Sequence, residues 1–243
     1  MAMHTRIGPF TLSSVVVAIG VLSLVSLAPT MASATAMGSL NETNCGGGGV
    51  TVNATTITWL PAGTVGGTGC IVTGAGTDVT YSGGALLAGV TGNIMNLTPG
   101  GVVDNFMTFQ GTSLDFVLDP FTPPVTTNGT DCAGTPTGGT CVAAAGSPFV
   151  LENLGGGNTA VALTAFGTVL DGGVTSTWSG SFSTQLNMTP AEIQSTIFGG
   201  GSITSTYAAQ FAVTAVPEPA TFFMIGIGLA VLGMTAKRNK ARS

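Results

Sequence analysis

The sequence of 243 residues predicts a mainly β protein: an antiparallel β-sandwich with one short helix, flanked by an N-terminal signal-peptide helix and a C-terminal transmembrane helix. Three observations predict the sandwich. Several segments alternate between apolar and hydroxyl side chains, which is the two-residue period of a half-buried strand. Glycine-rich breaks separate several of these segments. Charged residues make up 6% of the chain and hydrophobic residues 44%, unlike disordered chains, which combine high net charge with few apolar residues.

The N-terminus has the three parts of a secretory signal peptide. His4 and Arg6 precede an apolar stretch at 12–28, and small residues in A-x-A spacing follow it. The signal peptide is therefore assigned to residues 1–36, with cleavage expected after Ala36 or, as second choice, after Ala34. An uncleaved membrane anchor is the alternative.

Residues 37–215 form the predicted exported domain, which is long enough to bury a core of its own. In the segment 174–186, Val174, Trp178 and Phe182 share one face, and the other face is entirely Thr, Ser or Gln. The same alternation predicts strands at 113–119 and 203–214. Further strand candidates are 50–60, 77–87, 101–110, 149–154 and 158–171.

One helix and one long loop interrupt the strands. Thr189 and Glu192 have the spacing of a capping box, and Pro190 occupies the first helical position. The helix is expected to run through Phe198 and to end at Gly199, which gives Glu192 a structural role. Residues 120–139, rich in Thr, Pro and Gly, are expected to form a surface loop.

The C-terminus contains an apolar span and a basic tail. Residues 220–236 carry no charge, and as a helix they would reach about 25 Å, slightly less than the bilayer core of about 30 Å. Basic residues resist translocation, so the tail at 237–243 is expected to stay in the cytoplasm while the domain lies on the far side of the membrane. The basic residues of this tail are Lys237, Arg238, Lys240 and Arg242.

The distribution of charge excludes several classes of function. The five basic residues are Arg6 and the four of the tail, so residues 7–236 contain no Lys, Arg or His. Nucleophilic catalysis through a Ser-His-Asp triad, phosphate clamping by arginine and nucleic-acid binding are therefore not expected. All ten acidic residues except Glu218 fall in the exported domain, giving it a net charge of about −9.

Carboxylate pairs are the remaining catalytic option. Asp115 and Asp119 share one strand face, but four residues at about 3.3 Å each place them about 13 Å apart. Glycosidase pairs use separations of about 5 to 9.5 Å. Carboxylates that converge from different strands stay open as an alternative, as does calcium, although no D-x-D loop occurs. We therefore predict no catalytic residue, no metal ligand and no cofactor.

Four cysteines lie in the exported domain: Cys45, Cys70, Cys132 and Cys141. An even number of cysteines in an oxidising compartment predicts two disulfides. Of the three connectivities, Cys45–Cys70 with Cys132–Cys141 closes the shortest loops. A metal site is disfavoured because no C-x-x-C pair and no His is available.

The C-terminal pattern resembles a known sorting signal. Val216-Pro217-Glu218-Pro219 precedes the short Gly-containing apolar span and the basic tail. In this order, across 216–243, the three parts resemble the PEP-CTERM sorting signal of Gram-negative bacteria. The resemblance implies that an exosortase recognises Pro217-Glu218-Pro219, cleaves near it and passes the protein to the cell surface or extracellular matrix. Membership is also associated with exopolysaccharide production and biofilm formation.

These observations favour an exported, non-enzymatic surface or matrix protein. Its expected partners are the exosortase, the secretion machinery and an exopolysaccharide, with no nucleic acid among them. The rival interpretation is a carbohydrate-binding or adhesion module, in which exposed aromatic rings would stack on sugar. Its candidate residues are Trp59, Trp178, Tyr81 and Tyr207. Trp178 is disfavoured because it lies on the apolar face of its strand.

Overall fold

The computed structural model describes residues 35–53, 56–98, 101–121, 124–216 and 225–230. Ala34–Pro217 belong to one compact unit. The described part of this unit contains one helix, α1 (Pro190–Phe198). Its strands are β1 (Met37–Asn44), β2 (Gly49–Val52), β3 (Ile57–Leu60), β4 (Thr68–Thr73), β5 (Asp78–Tyr81), β6 (Gly84–Leu87), β7 (Thr91–Met95), β8 (Val103–Phe109), β9 (Leu114–Leu118), β10 (Thr140–Cys141), β11 (Phe149–Gly155), β12 (Asn158–Asp171), β13 (Val174–Leu186), β14 (Ile203–Ser205) and β15 (Ala208–Ala215).

Eight of the described strands close an antiparallel barrel, in the order β12-β13-β15-β1-β4-β7-β8-β9. The ring closes because β9 also pairs with β12, with Gly167 opposite Leu118 and Asp171 opposite Leu114. The prediction of a mainly β fold is confirmed, whereas the predicted β-sandwich is wrong. The alternation of side chains is the same in both architectures, so the sequence pattern does not reveal that the sheet closes on itself.

Beyond the barrel, β12 and β13 continue into a second part of the unit, the annex. The annex consists of β10, β11, α1 and a small sheet of three strands. β12 pairs with β11 along its first half, from Asn158 to Leu163, and with β9 only from Gly167 onward. The small sheet has the order β14-β2-β3. A cavity of about 60 Å³ with mostly apolar lining lies among the small sheet, α1 and strands β11 to β13.

Buried apolar side chains from the barrel and the annex form one continuous core. Aromatic rings run through it in consecutive contacts. Phe116 contacts Trp178 at 6.0 Å between ring centroids, and Trp178 contacts Phe211 at 5.2 Å. Phe182 lies 5.0 Å from Phe211 and 4.8 Å from Trp59, which belongs to the annex strand β3. The Trp59–Phe182 pair is tilted and the other three are edge-to-face, an arrangement that adds about 1 kcal/mol each to the burial of the rings.

Some sequence segments fold as predicted and others do not. β12, β13 and α1 have the predicted bounds, and the described part of 120–139 contains no strand. The segments 50–60, 77–87 and 203–214 are each divided into two strands. β1, β4, β7 and the two-residue strand β10 lie outside every predicted strand.

The capping box of α1 is present as the sequence predicts. The backbone N–H of Thr189 donates to a carboxylate oxygen of Glu192 at 2.8 Å, and the backbone N–H of Glu192 donates to the Thr189 hydroxyl at 3.3 Å. The carboxylate of Glu192 also accepts the hydroxyl group of Thr189 at 2.9 Å, and the bonds that it accepts from the backbone N–H and, secondly, from the hydroxyl group of Thr189 lower the pKa of Glu192. Glu192 therefore stabilises the first turn of α1, as expected.

The predicted targeting segments fall largely outside the described residues. Of the signal peptide, only Thr35 and Ala36 are described, and Ala36 is buried in the core. Of the predicted transmembrane helix at 220–236, only 225–230 are described, and they are helical. Among the described residues, no helix has the length and apolar character that crossing a membrane requires.

Candidate functional sites

The predicted sorting motif begins where the folded unit ends. β15 ends at Ala215, and Val216 follows it with 43% of its surface exposed. Pro217, Glu218 and Pro219 lie outside the described residues, as do the basic residues of the tail and the cleavage residue Ala34. Cleavage at or after Pro217 would therefore leave every described strand of the unit intact.

Glu42 places a carboxyl group inside the barrel. It lies on β1, opposite Ala209 of β15 and Thr73 of β4, and only 2% of its surface is exposed. Neither carboxyl oxygen has a hydrogen-bond partner among the described residues. Burial disfavours the charged form and raises the pKa of Glu42 to about 8. The carboxyl group is therefore mostly protonated at neutral pH.

Tyr207 is the polar neighbour of Glu42. It precedes Ala209 by two positions, so its side chain points to the same face of the chain as that residue. Tyr207 is 5% exposed, and its hydroxyl group has no partner in the part of the chain that the structure describes. Burial, and secondly the charge of Glu42, raise the pKa of Tyr207 above its usual range. Glu42 and Tyr207 thus bring two unpartnered polar groups into the interior.

Asp171 ties three segments together at the end of β12. One carboxylate oxygen accepts the backbone N–H of Ser82 at 2.5 Å, and the other accepts the hydroxyl groups of Ser82 at 2.6 Å and Ser113 at 2.7 Å. Burial alone would raise the pKa of Asp171, but the bonds from Ser82 and Ser113 together outweigh it and lower the pKa. Asp171 therefore acts as a structural link between the β5–β6 turn, the start of β9 and β12.

The structure brings together a carboxylate pair that the sequence left open. Asp115 lies on β9 as predicted, whereas Asp119, predicted to share this strand, follows its last residue. Asp104 of the neighbouring strand β8 lies close enough to affect Asp115: burial first, and then the charge of Asp104, raise the pKa of Asp115. Two converging carboxylates are the minimum for acid–base chemistry on a glycoside. Among the described residues, however, no group of three or more His, Cys, Asp or Glu is placed to hold a metal ion.

The aromatic residues proposed for sugar stacking are mostly inside the protein. Trp59 and Trp178 are each 2% exposed, and Tyr207 is 5% exposed. Both indole N–H groups have internal acceptors: that of Trp59 donates to the carbonyl of Met95 and that of Trp178 to the carbonyl of Val117, each at 2.9 Å. Tyr81 is half-buried and packs against the core. The four rings therefore do not form a sugar platform.

The two predicted disulfides are confirmed. Cys45 is bonded to Cys70 with 5.6 Å between their Cα atoms, and Cys132 is bonded to Cys141 with 5.4 Å. The described residues contain no free cysteine. The first bridge connects β4 to the segment after β1, and the second links the long loop to β10.

Comparison with known proteins identifies the C-terminal segment. Residues 215–239 match the family model of the PEP-CTERM protein-sorting motif. No curated protein and no solved structure matches the chain. The matched segment starts at the last residue of β15 and contains the Pro-Glu-Pro sequence, the whole apolar span at 220–236 and the start of the basic tail. The chain is therefore a protein with a PEP-CTERM sorting motif, which implies export and sorting by an exosortase.

Proposed function

We propose that this protein is a non-enzymatic component of the cell surface or extracellular matrix, associated with exopolysaccharide and biofilm. The observation that carries the proposal is the position of the sorting motif directly after β15. Sorting and cleavage at this position would release the compact unit with its barrel, its annex and both disulfides intact.

The polar groups of the exported domain support a structural role. Glu192 caps α1, and Asp171 accepts hydrogen bonds from two serines. The sequence supplies no His, Lys or Arg between residues 7 and 236 to act as a base or to bind a phosphate. The two disulfides and the closed ring of strands suit a domain that must stay folded outside the cell.

The experiment that tests the proposal is cell fractionation of the unchanged protein and of Glu218→Gln. The unchanged protein should leave the inner membrane and become shorter than its precursor. Glu218→Gln should stay at full length in the inner membrane, because the processing enzyme would lose the charged group of its recognition sequence. The matched control is Glu152→Gln, which removes an exposed carboxylate of β11 and should be sorted normally. If Glu218→Gln reaches the same location at the same size as the unchanged protein, the sorting role is wrong.

A second measurement addresses the absence of catalysis. The charge of Asp104 contributes to the raised pKa of Asp115, so these two carboxylates are the pair to test. Glycoside hydrolysis that is present in the unchanged protein and lost in Asp115→Asn would refute the non-enzymatic role. It would leave the sorting role untouched.

A further inference from the structure

A row of four side chains crosses the outer surface of the barrel. The backbone N–H of Asp119 donates to the carbonyl of Phe166, Phe166 is opposite Ser179, and Ser179 is opposite Ala212. The row thus passes from the end of β9 across β12 and β13 to β15. At about 4.8 Å between neighbouring strands, it spans about 14 Å.

Small residues beside the aromatic ring turn this row into a groove of about 260 Å³. Ser179 and Ala212 are exposed and short, so they leave space beside the half-buried Phe166. Thr177 and Thr214, which are opposite each other on β13 and β15, bring two further hydroxyl groups to the lining. The groove therefore has a carboxylate at one end, an aromatic ring next to it and hydroxyl groups along the rest.

The floor of the groove is held in place from inside the barrel. The Trp178 indole N–H donates to the carbonyls of Val117 at 2.9 Å and Thr168 at 3.1 Å. Gly167 permits this close approach, because a Cβ atom there would lie 2.0 Å from the carbonyl oxygen of Val117 and 3.0 Å from the indole nitrogen. A lining fixed on packed strands is preorganised for binding.

The chemistry of the lining selects the class of ligand. The Asp119 carboxylate accepts hydrogen bonds, and the Ser and Thr hydroxyl groups both donate and accept. Phe166 offers an apolar ring for the apolar face of a ligand. An anionic ligand would meet the Asp119 carboxylate and would find no Lys, Arg or His in residues 7–236. We infer that the groove binds a neutral, polyhydroxylated ring, namely a sugar unit of an oligosaccharide.

This binding activity goes beyond the proposed function, since a sorted structural protein does not require a ligand. None of the four aromatic side chains named from the sequence serves as its stacking surface: that surface is Phe166, and Trp178 only supports the floor from inside the barrel. Its failure is distinguishable from that of the sorting role, because the groove is tested on purified protein and sorting is tested in cells.

The test is titration of the full chain in a sugar-free zwitterionic detergent with neutral disaccharides built from glucose, galactose or mannose, with glucuronate as the anionic probe. Tryptophan fluorescence reports binding, because Trp178 lies under the groove. We expect a saturable change with at least one neutral disaccharide and none with glucuronate. The absence of a saturable change with every neutral disaccharide would overturn the proposal, and equal binding of glucuronate would overturn the argument from charge.

Four variants locate the binding. Phe166→Ala and Asp119→Asn should each weaken it about tenfold, since they remove the apolar platform and the charged acceptor. The matched controls are Phe198→Ala, at the exposed end of α1, and Asp78→Asn, on the exposed face of β5, which should stay within about twofold. All four should keep the melting temperature of the unchanged protein within a few degrees. Binding that is equally affected by the controls, or unaffected by the first two variants, would place the site elsewhere and overturn the proposal.

Discussion

Replacing Glu42 by Gln should stabilise the barrel at alkaline pH and leave its stability nearly unchanged at acid pH. The pKa of Glu42 rises from an ordinary value of 4.5 to about 8 in the folded protein. Between these values the folded state holds a proton that the unfolded state releases, so the free energy of unfolding falls as pH rises. The slope is about 1.4 kcal/mol per pH unit. Across the 3.5 units between the two pKa values the loss reaches about 5 kcal/mol.

This loss is comparable to the whole stability of many domains, about 5 to 15 kcal/mol, so it should be easy to measure. Gln has the shape of a protonated Glu and does not titrate. Urea unfolding of both proteins should give a stability difference within about 1 kcal/mol at pH 4, and a difference of about 5 kcal/mol in favour of Glu42→Gln at pH 9.

The control for this experiment is Glu152→Gln. It removes an exposed carboxylate and should change stability by less than about 0.5 kcal/mol at either pH. A Glu42→Gln difference that is the same at pH 4 and pH 9 would refute the reasoning, because it would mean that the folded state does not retain the extra proton.

Two further predictions concern the links between segments. Asp171→Asn should lower the free energy of unfolding by about 2 to 3 kcal/mol at neutral pH, because it removes the charge from three hydrogen bonds to Ser82 and Ser113. Because the pKa of Asp171 is lowered in the folded protein, its carboxylate stabilises the fold above the ordinary pKa of 3.8, and this stabilisation is lost as pH falls through the folded pKa. The melting temperatures of Asp171→Asn and the unchanged protein should therefore converge in acid. A difference in melting temperature that stays constant down to pH 2 would contradict this. Replacing Cys132 and Cys141 together by Ser should cost about 3 kcal/mol, from the entropy of closing a loop with a sequence separation of 9. Chemical denaturation measures this decrease in the free energy of unfolding. A decrease of less than about 0.5 kcal/mol would show that the loop is equally restricted without the disulfide.

The part of the fold that could be predicted is the part with regular alternation. In β13 the inward positions are mostly apolar and the outward ones are all Thr, Ser or Gln, so this strand follows from the pattern, and the two-glycine break before it separates it from β12. The capping box likewise locates α1 to the residue.

Three of the strands that the pattern does not predict, β1, β4 and β7, carry glycine or a carboxyl group at inward positions. Gly69 of β4 faces Trp59, and a Cβ atom there would lie 2.1 Å from the Cβ atom of that residue. Gly92 of β7 is buried in the same way against the carbonyl of Thr108. In β1 the inward position after Leu40 is Glu42, a residue whose hydropathy indicates the surface. Glycine is required at Gly69 and Gly92 because another chain segment approaches the backbone closely there. A hydropathy pattern does not reveal such close approaches.

The candidate sites were harder to predict than the strands, because each depends on pairing between distant segments. Phe166 and Asp119 are 47 positions apart, and only the β9–β12 pairing that closes the ring brings them together. The proximity of Asp104 to Asp115 depends in the same way on the pairing of strands β8 and β9. The sorting motif needed no such pairing, since its parts are contiguous in sequence.

The long hairpin of β12 and β13 gives the protein a mechanical property as well as a shape. Its register is continuous from Thr159 opposite Leu186 to Asp171 opposite Val174, and one end belongs to the annex while the other belongs to the barrel. Because β12 and β13 belong to both parts, unfolding of either part would break backbone hydrogen bonds of strands that the other part shares. We therefore expect barrel and annex to unfold in a single cooperative transition. A domain tethered at its C-terminus and pulled from its surface would therefore resist force as one body.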